Sequence, residues 1–98
     1  MNNVKLILSE DRENFTGVWK GGDFKGTWLS GRFVKGTFTG HWHSGVWQNG
    51  DWLNGVWSDG EWRKGGWHKG TWLKGKWLDG IWSGGEWYAG TWHGGLWS

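Results

Sequence analysis

From Trp42 to Trp97 a tryptophan falls on every fifth residue without a break, and a glycine stands two positions before each, from Gly40 to Gly95. The same Gly-x-aromatic unit continues upstream at Trp19, Phe24, Trp28, Phe33 and Phe38, giving 17 copies in 98 residues. Such a period identifies a repeat protein in one small domain. A helix is excluded, because a five-residue step scatters the rings around its surface and each interior glycine costs about 1 kcal/mol relative to alanine. The upstream intervals vary between four and five residues, so the register slips between Trp19 and Trp42. Any architecture has to absorb that slip.

Short extended segments joined by tight corners fit the period. Asn49-Gly50, Asn54-Gly55, Asp59-Gly60 and Asp79-Gly80 are turn dipeptides that tolerate positive φ. Each repeat therefore reads as a three-residue strand, x-Trp-x, and a two-residue corner. Two chain paths follow. Corners that all turn the same way wind a solenoid whose coils pair as parallel ladders with the rings inside. Corners that are type I′ hairpins give an antiparallel β-meander with Trp52 opposite Trp57 and all rings on one face.

A buried aromatic contributes roughly 4–6 kcal/mol at about 25 cal/mol/Å², so a chain this rich in rings cannot leave them exposed and still fold. The solenoid hides them within one chain, and is the expected fold. Trp42, Trp47, Trp52, Trp57, Trp62, Trp67, Trp72, Trp77, Trp82, Trp87, Trp92 and Trp97 are then its core. Positions i−2 and i share a strand face, so the glycine is expected to leave room for the indole in a narrow lumen. The meander stays open as the alternative, since "FTGVW", "FKGTW" and "FTGHW" place two rings four apart, as on one hairpin strand.

Gly45-Val46-Trp47-Gln48-Asn49 and its relatives resemble the pentapeptide-repeat proteins, which carry a small residue at i−2 and a large apolar residue at i. The resemblance implies a right-handed, four-sided β-solenoid; the tryptophan lumen departs from the family's usual leucine or phenylalanine. Phe24-Lys25-Gly26-Thr27-Trp28-Leu29-Ser30-Gly31 is similar to the first half of a MORN repeat, which implies hairpins, and the second half is missing. Tandem Gly-x-Trp tracts also resemble those of phage virion and tail proteins and some bacterial surface proteins.

Residues 15–98 form the repeat domain and residues 1–14 a cap or partner-pairing segment, with Val4–Leu8 able to cover the first coil. That segment does not read as a signal peptide, and no stretch reaches transmembrane length, so no membrane insertion is expected. Asn14-Phe15-Thr16 matches the glycosylation acceptor pattern by chance. The formal charge is +2 with alternating signs and no cysteine, which supplies neither a nucleic-acid stripe nor a thiol metal site. Lys64, Lys69, Lys74 and Lys76, the densest basic run, read as a solvated face.

Catalytic templates fail. Gly70-Thr71-Trp72-Leu73-Lys74-Gly75-Lys76 imitates a P-loop, but Trp77 replaces the required hydroxyl. Asp51, Asp59, Glu61, Asp79 and Glu86 recur at repeat spacing as surface acids rather than in an asymmetric pocket. His41 and His43 flank Trp42 on one outward face, within reach of a shared metal ion, yet exposed polar residues are the expected reading. No enzyme activity, cofactor or metal is therefore expected. His43, His68, Tyr88 and His93, each just after a ring, are the candidate surface contacts.

The expected function is structural or adhesive, as a virion decoration, fibre or tail component. The sequence stops one residue after Trp97, so the last coil is expected to meet another protein or another copy. A lectin-like module stacking exposed indoles on a glycan is the alternative.

Overall fold

The computed structural model describes residues 9–97, with side chains from Phe15 onward. The chain is all-β. The longer strands come early: β1 (Ser9–Trp19), β2 (Asp23–Phe33) and β3 (Thr37–Trp42), then the short β4 (Val46–Trp47) and the longer β5 (Asp51–Trp57). Short strands of one residue and its ring follow: β6 (Glu61–Trp62), β7 (Gly66–Trp67), β8 (Thr71–Trp72), β9 (Lys76–Trp77), β10 (Ile81–Trp82), β11 (Glu86–Trp87), β12 (Thr91–Trp92) and β13 (Leu96–Trp97). Among the described residues every ladder is parallel, including β1 with β2, β4 with β6 and β6 with β9. Parallel pairing of strands this short removes the antiparallel meander and establishes a β-solenoid. The Val4–Leu8 cap lies outside the described residues.

Ring pairs give the length of a coil. Trp47 pairs with Trp62, Trp62 with Trp77 and Trp77 with Trp92, each partner three repeat units further along the chain. Three units therefore complete a coil, where the four-sided coil implied by the resemblance needs four. Each interior unit is tied to the coil before it by two backbone bonds. Gly66 N–H donates to Gly50 O at 3.0 Å and His68 N–H to Trp52 O at 2.8 Å, either side of Trp67.

The upstream slip is absorbed without reversing the chain. Phe24 pairs with Phe38 and Trp28 with Trp42, each one residue short of three full units, and Phe15 pairs with Trp28, two short. Where a unit loses a residue, as in Phe24-Lys25-Gly26-Thr27, the strand simply runs on through its glycine. The change to full-length coils falls on β5: Phe38 pairs with Trp52 and Thr39 with Asn54, leaving Leu53 as a bulge. The bulge inserts one residue and the ladder stays parallel on both sides of it.

The motif glycines work differently from the expectation. All 17 have positive φ, from +95° to +141°, a region that side chains with a Cβ avoid. A Cβ on Gly55 would lie 1.9 Å from the carbonyl oxygen of Gly40 in the coil below. Backbone approach between coils, more than lumen space for the indole, is what demands glycine. Three corners gain a further bond, the side-chain oxygens of Asn49, Asp59 and Asp79 accepting from the N–H of the glycine that follows at 2.8 Å, and Asn54 makes the same bond to Gly55 at 2.9 Å within β5. The corner dipeptides turn in the same sense rather than closing hairpins.

The rings fill the interior as three columns of six. Phe15, Trp28, Trp42, Trp57, Trp72 and Trp87 stack in one, with centroids 4.6–4.8 Å apart. Trp19, Phe33, Trp47, Trp62, Trp77 and Trp92 form the second, and Phe24, Phe38, Trp52, Trp67, Trp82 and Trp97 the third. The strand ladder sets that repeat at about 4.8 Å, longer than the roughly 3.5 Å contact of carbon atoms. Nearly parallel rings therefore meet with offset faces. Consecutive rings in sequence meet edge to face, as Trp57 and Trp62 do at 5.7 Å and 70°. Both geometries suit the aromatic quadrupole.

Candidate functional site

Burial along the columns locates one candidate. Trp28 to Trp77 are wholly buried, and Trp82 is 1% exposed. In the sixth triplet Trp87 and Trp92 are only half-buried and Trp97 is 56% exposed. These three had been expected in the core; each keeps its stacked neighbour on one face, and no further ring covers the other among the described residues. Leu96 and Ile81, paired in β13 and β10, are exposed beside Trp97. The sixth triplet thus presents aromatic faces and aliphatic side chains together, and among the described residues β11, β12 and β13 are each paired on one side. A strand edge is a template for pairing.

The outward rows give the second group of candidates. His43 and Tyr88 stand beside the Trp42 column, three coils apart, while His68 stands beside the Trp52 column and His93 beside the Trp47 column. All four are exposed, and the five-unit interval among the histidines puts each beside a different column. Tyr88 donates its hydroxyl to Glu86 at 2.9 Å across Trp87. That hydrogen bond, with the charge of Glu86, raises the phenol pKa above its ordinary value. His68 lies 3.8 Å from Asp51, an acid of the coil below. Arg63 pairs with Glu61 at 3.0 Å on the exposed surface, a contact worth at most about 1 kcal/mol.

Other sequence clusters dissolve in the fold. Lys64, Lys69 and Lys74 precede Gly65, Gly70 and Gly75, so they occupy three successive corners of one circuit rather than one face. Residues 70–76 run from a corner through β8 to the next corner and into β9, with no helix N-terminus to receive a phosphate. Asp59 and Asp79 brace corners. The sequence marked Asp59-Gly60 and Asp79-Gly80 as turn dipeptides and their carboxylates as surface groups; the bond that each carboxylate accepts from the glycine after it joins the two readings. Sequence reasoning missed the pairing of Asp51 with His68, which is invisible until the coil length is known.

His41 and His43 do come together. Both are exposed on either side of Trp42, with ring centroids 5.5 Å apart and planes 15° from parallel. Among the described residues no three histidines or acids form a metal-binding group. The indole row itself offers few faces to a glycan, since its inner rings are covered by one another. Seven of the buried indole N–H groups, those of Trp28, Trp47, Trp52, Trp57, Trp62, Trp67 and Trp72, reach no acceptor among the described residues. Those of Trp42 and Trp77 reach the corner carbonyls of Asp59 and Gly94. The chain matches no known family model, no curated protein and no solved structure.

Proposed function

We propose that the chain is a non-enzymatic structural element, a stiff rod that joins to another copy of itself through its sixth triplet. The observation that carries this reading is the step in burial along the columns, from 0% at Trp77 to 56% at Trp97. Extended dimensions of 41 × 17 × 17 Å and a continuous aromatic core support the rod. Stiffness follows from the packing: every interior ring is held by stacked neighbours above and below and by edge contacts in sequence, so bending must open several contacts at once. The likeness of the Gly-x-Trp tracts to those of phage virion and tail proteins suggests a virion component as its setting.

The test is the molar mass of the 98-residue chain by light scattering, with acrylamide quenching of tryptophan on the same sample. A mass above the monomer that falls to the monomer in Trp97→Asp supports docking by this end, and quenching rises in that variant. A wild-type monomer at the highest soluble concentration contradicts self-association.

A further inference from the structure

We infer that His41 and His43 form a two-imidazole chelate for a divalent transition-metal ion of the nickel, copper and zinc class. His41 in β3 and His43 just after it stand one residue either side of Trp42, and their rings already lie 5.5 Å apart. Two imidazole nitrogens bound tetrahedrally to one zinc sit about 3.3 Å apart at the usual bond length. Rotation about χ2, which is broad for histidine, closes that gap from exposed rings without moving the backbone.

The platform beneath is fixed. Trp42 is wholly buried, stacked at 4.7 Å on Trp28 and at 4.6 Å on Trp57. His41 is paired with Thr27 below and Val56 above, and His43 N–H donates to Trp28 O at 2.8 Å. Binding therefore orders two side chains and no main chain, which keeps its entropic penalty small.

The surroundings select the ion. In the adjoining coils the positions in line with the pair hold Thr27 and Leu29 below and Val56 and Ser58 above. No carboxylate stands among them to build the oxygen cage that magnesium or calcium requires. Imidazole ligands favour nickel, copper and zinc, with water completing the coordination. The other histidines lack a second imidazole: His68 faces Asp51, and His93 stands beside the Trp47 column.

The experiment is calorimetric titration of the full chain with nickel chloride, alongside His41→Ala, His43→Ala, His68→Ala and His93→Ala. All four positions are exposed, and near-UV circular dichroism checks that each variant keeps its core. One equivalent is expected to bind wild type, His68→Ala and His93→Ala alike. Removing either ring of the pair weakens binding on the order of 100-fold, the loss expected when a linked second contact is removed. Wild-type affinity in His41→Ala or His43→Ala, an equal loss in His68→Ala or His93→Ala, or no binding to the wild-type chain would overturn the assignment.

Discussion

A single added methyl separates two kinds of glycine in this chain. At Gly55 it meets the Gly40 carbonyl oxygen at 1.9 Å with φ at +130°, whereas at Gly21 nothing lies within 4 Å and φ is not positive. Gly55→Ala is expected to destabilise the fold by roughly 3 kcal/mol or more, combining backbone strain with a clash that no side chain can relieve. Gly21→Ala is expected to be neutral or to stabilise by about 0.4–1 kcal/mol through the unfolded chain. Urea denaturation followed by tryptophan emission measures both. The positions of the motif glycines were plain in the sequence, but their role was not. Counting alternate faces along a strand points i−2 into the lumen, and that rule fails once φ turns positive and the backbone itself becomes the contact.

At the scale of the coil, residue count and ring size vary together. The first coils fall one or two residues short of three full units, and all four phenylalanines, Phe15, Phe24, Phe33 and Phe38, belong to them; from Trp42 onward every ring in the three columns is indole. A shorter circuit encloses less space, and the smaller ring fills it. Phe33→Trp is therefore expected to overpack a position that is 0% exposed and already stacked at 4.1 Å on Trp47. The loss should be about 1–3 kcal/mol, seen as a lower thermal midpoint; an unchanged or higher midpoint would show that the short coils hold spare room. The slip was visible in the sequence as shortened intervals between rings. Its meaning was hidden, because two rings four apart also fit one hairpin strand. What decides is the corner: in Phe38-Thr39-Gly40 the strand continues through glycine, and Leu53 in the next coil takes up the difference as a bulge.

Across the whole molecule, the five-residue period made the parallel solenoid and its inward ladder legible, but it is silent on how many units close a coil. Four came from resemblance to a family with smaller core residues. Three is the number at which indoles close the lumen among themselves, each edge-on to its sequence neighbours, as Trp42 to Trp47 and Trp47 to Trp52 at 5.7 and 5.8 Å. This number governs every surface reading. It sends Lys64, Lys69 and Lys74 to separate corners and brings His68 to Asp51, while His41 and His43 lie together because they flank Trp42 in sequence. Coil length also fixes how the sixth triplet stands at the rod's end, and so underlies the docking proposal.

The most direct measurement uses the absence of native cysteine. Val56 and Thr71 are register partners in adjacent coils, both partly exposed beside the Trp57–Trp72 stack. Parallel strand neighbours bring Cα atoms within the roughly 4.4–6.8 Å that a disulfide spans. Val56→Cys/Thr71→Cys is predicted to form an intramolecular disulfide under mild oxidation, read by thiol titration and mass, while Val56→Cys/Lys76→Cys keeps both thiols free. Closure of the second pair and not the first would contradict a coil of three units and the three-column core built on it.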